Sequence, residues 1–487
     1  MDFYVSYTIT EEFDFPCVQL STDNWNDYGY RTTFHATYYD ENGASLNLGV
    51  IKILTRGNDN FQTVLEGKFQ KLNDNFCSLG QTMEYYKILN SLPHGFEVLE
   101  SLRDVILNED IYDEFKVFEG FEASLLRDSE ARLVIKEGAN LLETGEITYP
   151  EIGRFFFSCK LEDAINEHQV LIDFQKDEYL PYRINAFIGK NGTGKTEVLG
   201  RIANTISRAN ETREEEGKFK VLNGNKDMIE FSGPLFSRVI TVSMSSFDAF
   251  TKVVSTKHTS YKYCGIMDNN GNLNLQMANQ RLLSSYRDIE LRGRQEEWRE
   301  ILSKTIDNHT IENFERYLSS NGEHNHKLSS GQTMILSVVT NIISFIKPNT
   351  LILFDEPELY LHPNAISGLI NMLYEILDNY NSYAILATHS AVILQEIPSK
   401  YVKVFKRREN MVNIEPLSIE CFGENLTVIT NEVFGIQEDR FVYKDILENF
   451  SKSLSYEEVN KLFDDELSFN ARIHLKNSYN KPGNKGD

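Results

Sequence analysis

Eight consecutive residues, Gly189-Lys190-Asn191-Gly192-Thr193-Gly194-Lys195-Thr196, hold the densest chemistry in the chain. Their pattern, Gly-x-x-x-x-Gly-Lys-Thr, is that of a loop that cradles phosphate. Glycines let the backbone curl until several N–H groups converge on phosphate oxygens, and a following helix adds the positive end of its dipole. Here the loop follows the apolar run Ile184–Ile188 and precedes Val198, Leu199, Ile202 and Ala203 at helical spacing. Strand, loop and helix therefore come in the order that this chemistry needs. Gly189, Asn191, Gly192 and Gly194 would line the cradle, Lys195 would bind the β- and γ-phosphates of a nucleotide, and Thr196 would give its hydroxyl to Mg²⁺.

Three further groups suit the same chemistry. Leu351-Ile352-Leu353-Phe354-Asp355-Glu356 is an apolar strand ending in two acids, after the turn-like Lys347-Pro348-Asn349. Asp355 would hold the hydrated Mg²⁺, and Glu356 would accept a proton from water attacking the γ-phosphate. Alternation along the strand points the two side chains apart. Leu328-Ser329-Ser330-Gly331-Gln332 precedes Asp355 by 23 residues, counted from Gln332, and leads into Met334, Ile335, Leu336, Val338 and Val339. Ser and Gly before such a run are an ordinary helix N-cap. Between a phosphate loop and an acidic strand, Ser329, Ser330, Gly331 and Gln332 also offer an anion site for a nucleotide held by a second copy. His389, 34 residues after Asp355, closes the strand-like Tyr383–Thr388, where it could hydrogen-bond the γ-phosphate or the attacking water.

The rest of the chain must supply the elements that bring these groups together. Its 487 residues predict two to four folded units at about 100–200 residues each. With 41% apolar and 25% charged residues it is not a disordered chain, and a net charge of −23 excludes coating of nucleic acid or anionic membrane by the whole surface. No apolar run approaches the roughly 18–20 residues of a membrane helix. Met1-Asp2-Phe3-Tyr4 lacks a basic, then apolar, secretory start, so a cytoplasmic protein is expected. Cys17, Cys77, Cys159, Cys264 and Cys421 are odd in number and widely spaced, which predicts reduced, mostly buried thiols.

Along the chain, Arg31–Tyr39 and Ser45–Leu54 around Asp40-Glu41-Asn42-Gly43 predict a β-hairpin. Residues 62–107 change to helical spacing, with Val64, Phe69, Leu72 and Phe76, then Tyr85, Ile88, Leu89 and Leu92, and predict two or three packed helices. Arg154–Cys159 and Gln169–Phe174 predict strands, and residues 205–225 a surface connection. Residues 276–320 predict a helical insertion that buries Leu282, Leu283, Tyr286, Ile289, Leu291, Trp298, Ile301 and Leu302. Lys400, Lys403, Lys406, Arg407 and Arg408 are expected to form a solvated edge. Asp464, Asp465 and Glu466 are expected on the solvated face of a short amphipathic helix within Tyr456–Leu467, and the tail from Lys476 is expected to be disordered.

In this order the four motifs resemble an ABC-type ATPase. Asp355-Glu356-Pro357-Glu358-Leu359-Tyr360-Leu361-His362-Pro363 together with Ala387-Thr388-His389-Ser390 is similar to the branch of RecF, SMC and OLD proteins rather than to transporter ATPases. The resemblance covers roughly residues 150–440. It implies an α/β fold: a P-loop sandwich with a helical insertion, the signature lobe, and here an additional N-terminal α+β module. It also implies ATP and Mg²⁺ as cofactors and a homodimer or higher homo-oligomer with composite sites. Each such site takes the phosphate loop, Asp355, Glu356 and His389 from one copy and Ser329 to Gln332 from the other. Ser330 stands where the transporter-type pattern has glycine. Ser243–Phe250 follows the apolar Val239–Val242, where the family has its glutamine loop, but offers Asp248 and no glutamine.

The expected division is 1–150 for the N-terminal module, 151–410 for the core with its insertion at about 255–327, 411–475 for a C-terminal helical region, and 476–487 for the tail. No heptad run supports the coiled coils of SMC proteins, and the short C-terminal region leaves no room for the metal-binding nuclease domain of OLD proteins. With its large N-terminal module the chain looks similar to stand-alone ATPase subunits of bacterial antiphage systems of the Septu and PARIS types. That likeness implies an ATPase that senses infection and controls a separate effector protein such as a nuclease. Two other readings stay open: a RecF-like ATP-dependent DNA-binding repair protein, and a transporter's ATPase subunit, which the Leu361-His362-Pro363 element and the N-terminal module disfavour. DNA remains open as a partner, and no membrane partner is expected.

Overall fold

Alternation and turn chemistry build the first sheet. The computed structural model describes residues 1–479 except 6–12, 28, 58–60, 163, 208–216, 223–226, 232, 246–249, 251–260, 269–271, 323–327 and 436–441. Asp248, residues 208–216 and 223–225 of the expected surface connection and the tail beyond Tyr479 thus lie outside the described residues, while residues 218–222 of that connection form a sheet strand instead. Strands β1 (Asp2–Val5), β2 (Cys17–Thr22), β3 (Thr33–Tyr39), β4 (Ser45–Thr55), β5 (Lys68–Phe69) and β6 (Phe76–Gly80) pair in the order β5-β1-β2-β3-β4-β6. β3 and β4 are the expected antiparallel hairpin. Asp40 Oδ1 holds its turn by accepting from the amides of Asn42 and Ala44, each at 2.8 Å.

The expected helical stretch at 62–107 needs correction. Phe69 and Phe76 lie in β5 and β6, because Phe76–Gly80 completes the sheet by pairing with β4, and that pairing overrides local helical spacing. Helices α1 (Met83–Ser91) and α2 (Gly95–Ser101) begin only after Gly80, where the Thr82 hydroxyl caps α1 by accepting from the Tyr85 amide. With α3 (Glu109–Phe115) and α4 (Ser129–Thr144) they bury a core of their own, which includes Leu20, Ile53, Tyr85, Phe121 and Leu133.

A second core begins with β7 (Arg154–Cys159), β8 (His168–Asp173), β9 (Ile184–Gly189) and α5 (Lys195–Ser207). β10 (Lys218–Leu222), β11 (Met228–Phe231), β12 (Arg238–Ser243) and β13 (Tyr261–Gly265) lead to α6 (Leu275–Leu291), α7 (Gln295–Ser303), α8 (Asn308–Ser319) and α9 (Ser330–Phe345). Then follow β14 (Thr350–Asp355), α10 (Pro363–Asn379), β15 (Tyr383–Thr388), α11 (Ala391–Gln395), β16 (Val402–Arg408) and β17 (Met411–Pro416). One sheet is antiparallel, β11-β10-β7-β8; the other runs β13-β12-β14-β15-β9-β16-β17 and is parallel up to β16. β9, β12, β14 and β15 are buried from end to end, which is why their sequences are mostly apolar without alternation, with buried polar residues such as Asn185, Arg238 and Thr241 among them. α5 packs on these four strands and on β7, burying Val198, Leu199, Ile202 and Ala203. The result is the α/β sandwich that the motifs imply.

The insertion expected at about 255–327 is helical only from α6 onward, since Tyr261–Gly265 form β13 and pair with β12 in the core sheet, and within the helices Leu291 is 85% exposed. It lies two residues, about 200° of helical rotation, past the buried Ile289 and so faces away. At its far end α9 is capped by cations. Arg294 donates to the Ile343 carbonyl at 2.7 Å, Arg292 to Ser344 at 3.2 Å, and Arg238 to Phe345. These satisfy carbonyls that have no partner within the helix. Just beyond, Lys347 Nζ donates to both carboxylate oxygens of Glu130 on α4 at 3.0 Å and ties the N-terminal module to the turn before β14.

β17 corrects the boundary at 410: residues 411–416 extend the core sheet. The chain divides into two compact units, Met1–Ile429 and Thr430–Asp487, and the division falls inside α12 (Leu426–Phe434). In the second unit α13 (Val442–Ser451), α14 (Tyr456–Lys461) and α15 (Phe469–Tyr479) bury Leu447, Val459, Leu467, Ala471 and Leu475. The acids expected on a helix face follow the end of α14, Asp464 and Asp465 both with positive φ, so they form a turn. Lys476–Tyr479, expected to be disordered, are the last turn of α15, where the Tyr479 hydroxyl donates to the Leu454 carbonyl at 2.6 Å. All five cysteines are buried and free. Among the described residues no helix is long and apolar enough to cross a membrane.

Candidate functional site

Strand β9 runs directly into the phosphate loop. A Cβ on Gly189 would lie 2.2 Å from the Phe405 carbonyl oxygen of β16, so only glycine lets the loop leave the sheet here. Gly194 has φ +92°, and a Cβ there would meet Leu161 Cδ1 at 2.7 Å and His168 Nε2 at 3.0 Å. Lys195 opens α5 and folds back, 5% exposed. Its ammonium donates to the carbonyls of Gly189 at 2.9 Å and Lys190 at 3.2 Å and lies 3.1 Å from His389 Nε2. Burial lowers its pKa to about 8, against the opposing pull of Asp355, Glu356 and Glu358.

The sheet order sets the other groups around this ammonium, since β15 lies between β9 and β14. Asp355, at the end of β14, is 1% exposed and accepts from the Thr196 hydroxyl at 2.9 Å. These two hard oxygens are the donor type that Mg²⁺ takes when phosphate and water complete its octahedron, so the residues fit that ion. Glu356 is aimed by the backbone rather than by strand alternation, which corrects the expectation. It leaves β14 at φ +50°, its amide donating to the Ala387 carbonyl at 2.8 Å. His389 follows β15 and is pushed down to about pKa 4, first by burial and then by the Lys195 charge. As a neutral ring its Nε2 accepts from Lys195, which puts its proton on Nδ1, and Glu356 Oε1 lies 3.6 Å from the same Nε2.

Two residues with no assigned role belong here. Glu358 is half-buried beside the cleft, and one of its oxygens accepts from the Thr388 hydroxyl at 2.8 Å and from the His389 amide at 2.5 Å. Burial raises its pKa. The available signal was its place two residues after Glu356 in the acidic run. Arg407, expected on a solvated edge, instead lines the cleft, with its guanidinium donating to the carbonyls of Gly192 at 3.2 Å and Glu409 at 2.9 Å. Nothing in its local sequence announces this, because the pairing of β16 with β9 puts it there. Lys400, paired with Asp177, and Lys406, paired with Glu415, do behave as an edge, whereas Lys403 is buried against the Lys400 carbonyl and departs from the expectation.

Together Asn191, Gly192, Gly194, Lys195, Thr196, Glu197, Asp355, Glu356 and His389, with Leu161, Glu162, Ser245 and Arg407, line a cleft of 670 Å³. The signature residues do not line it. Ser329 caps α9, its hydroxyl accepting from the Gln332 amide at 3.2 Å while Gln332 Oε1 accepts from the Ser329 amide at 3.0 Å. Ser329 and Ser330 are exposed, and Gly331 packs close to the Tyr360 carbonyl in the turn after Glu356. Leu361-His362-Pro363 starts α10, with His362 as its cap and Pro363 in its first turn. Chemically, the cleft combines a loop of amides and one ammonium for polyphosphate, a pair of oxygens for a hard cation, and a carboxylate beside a neutral imidazole.

Residues 273–395 match the domain model described as "AAA domain, putative AbiEii toxin, Type IV TA system". The chain is similar to Protein ea59 of Escherichia phage lambda, 29% identical over 502 aligned positions that span 94% of each chain. Among solved structures, the SMC head domain from Thermotoga maritima covers 55% of this chain and 100% of its own, at 12% identity and a TM-score of 0.31. An ATP-binding cassette of an ABC transporter in its ADP conformation covers 57% and 94%, at 13% identity and a TM-score of 0.30. The strand order, the cleft and the matched AAA domain agree with a P-loop nucleotide-binding fold.

Proposed function

We propose that the chain hydrolyses ATP with Mg²⁺ in this cleft, working as a homodimer or higher homo-oligomer that controls a separate effector. The observation that supports the reading best is the convergence on one cleft of Lys195 and Thr196 after β9, Asp355 and Glu356 after β14, and His389 after β15. In this reading Lys195 and the loop amides hold the β- and γ-phosphates. Thr196 and Asp355 would hold Mg²⁺, whose chemistry when bound is to neutralise charge on the phosphates. Glu356 takes a proton from the attacking water, and His389, neutral and hydrogen-bonded to Lys195, contacts the γ-phosphate. Ser329 to Gln332 act on the nucleotide of a second copy, which accords with their exposure outside their own cleft.

In its finer form the reading makes the protein a sensor and regulator in antiphage defence, with a nuclease as effector. One likeness supports it: the domain model whose description names a toxin–antitoxin system. Glu356→Gln tests the reading. It keeps the side chain's shape and removes the base, so turnover should fall by about a hundredfold or more while ATP binding persists. Size-exclusion chromatography with ATP should then show a long-lived dimer. Turnover at the wild-type rate would remove Glu356 from its role.

A further inference from the structure

Strand β8 opens on His168, a buried imidazole with no part in the roles above. It is 2% exposed and pairs with Cys159 of β7. Its Nε2 stands 3.0 Å from the place a Gly194 Cβ would take, so the ring packs directly on the backbone of the phosphate loop. Gly194 lines the cleft and His168 does not, which sets the imidazole on the side of the loop that faces away from the phosphates. Burial lowers its pKa to about 4, the charges of Arg407 and Arg201 push the same way, and the Thr193 backbone opposes them by favouring a proton on the ring. The imidazole is therefore neutral near pH 7, with one N–H donor and one bare nitrogen. Among the described residues neither nitrogen has a hydrogen-bond partner. Two unpaired nitrogens in the interior destabilise a fold, and such a group pressed against a phosphate loop points to a use.

Resting on the nucleotide reading of this cleft, we infer that His168 is a positioning residue, whose ring N–H donates to the Thr193 carbonyl as phosphate seats and thereby aims the Gly194 amide at the phosphates. A trans peptide points its N–H and its C=O in opposite directions. When the Gly194 amide turns into the cleft, the Thr193 carbonyl of the same peptide turns away from it, to the side where His168 stands. A hydrogen bond to that carbonyl polarises the peptide and makes its amide a stronger donor to an anion. Lys195 meets the phosphates itself, whereas His168 acts through the loop and touches no ligand. Seating the phosphates and pairing the imidazole are then one event, which links the antiparallel sheet to the state of the cleft.

Isothermal titration with Mg²⁺ and either ATP or inorganic tripolyphosphate tests the inference on two variants. His168→Leu fills the same space without a donor and should weaken both probes by about tenfold, the loss of one hydrogen bond. His168→Gln, with an N–H at about the reach of Nε2, should bind both within about threefold of wild type. Because leucine replaces unpaired polar atoms, the melting temperature of His168→Leu without ligand should hold or rise. In proton NMR of the wild-type protein, the ring N–H signal that His168→Gln removes should move downfield when Mg²⁺ and tripolyphosphate are added. The inference falls if His168→Leu binds both probes as wild type does, since the ring then only fills space. It falls equally if glutamine restores nothing, if leucine lowers the ligand-free melting temperature by more than about 5 °C, or if the ring signal ignores the phosphate. Wild-type protein that binds neither ATP nor tripolyphosphate would instead overturn the nucleotide reading itself.

Discussion

Lys195 and His389 share one hydrogen bond; burial lowers the pKa of each, and the Lys195 charge lowers that of His389 further. Lys195 titrates near pH 8 in the free protein, so it is mostly a cation below that pH and loses its charge above it. Bound polyphosphate favours the cation and raises this pKa. Affinity for ATP should therefore be flat below about pH 8 and fall by up to about tenfold per unit above it, with proton uptake on binding visible as a buffer-dependent heat in calorimetry. His389, near pKa 4, stays neutral across that range and adds no pH dependence between about pH 6 and 8. Glu358 provides a second test. Its role is to accept from Thr388 and the His389 amide, so Glu358→Ala should lower turnover by about tenfold or more with ATP binding kept, while Glu358→Gln, which keeps an acceptor, should retain most activity. Turnover of the alanine variant within about twofold of wild type would show that Glu358 positions nothing. Residue identities were enough to find the phosphate loop, Asp355, Glu356 and His389. They were silent on Arg407 and Glu358, whose places depend on strand pairing and on a left-handed backbone at Glu356.

At the scale of elements, α9 is the piece that joins distant parts. Its N-terminus presents Ser329 to Gln332, three arginines grip its C-terminal carbonyls, and the turn beyond it leads through Lys347 into β14 and Asp355. The Lys347–Glu130 pair adds the N-terminal module to this chain of contacts. A double-mutant cycle with Lys347→Met and Glu130→Gln should give a coupling of about 1 kcal/mol by chemical denaturation, since both side chains keep some exposure to solvent. Zero coupling would make the pair incidental. Hydrophobic runs at β9, β12, β14 and β15 were legible because a strand buried on both faces is mostly apolar and does not alternate. β6 was misjudged as helix because its partner β4 lies far from it in sequence, and only that partner makes Phe76–Gly80 a strand.

The whole molecule carries a net charge of −23, and pairing two such copies works against their mutual repulsion. The ATP-bound dimer of Glu356→Gln should accordingly strengthen as salt rises from about 0.05 to about 0.5 M, where screening shortens the range of repulsion. Sedimentation velocity measures this, and weakening with salt would point to ion pairs across the interface instead. DNA binding, as in the RecF-like alternative, carries the opposite salt slope, so one titration series separates the two. By itself the sequence determined the chemistry: a phosphate loop needs glycines and a lysine at set spacing, and a buried strand ending in two acids has few other uses beside it. The tertiary structure alone decided which groups face one another. Sheet order brings His389 between Lys195 and Glu356, turns Arg407 from a surface cation into a wall of the cleft, and leaves the signature residues outside it. Those outcomes follow from contacts between residues far apart in sequence, which local spacing does not encode.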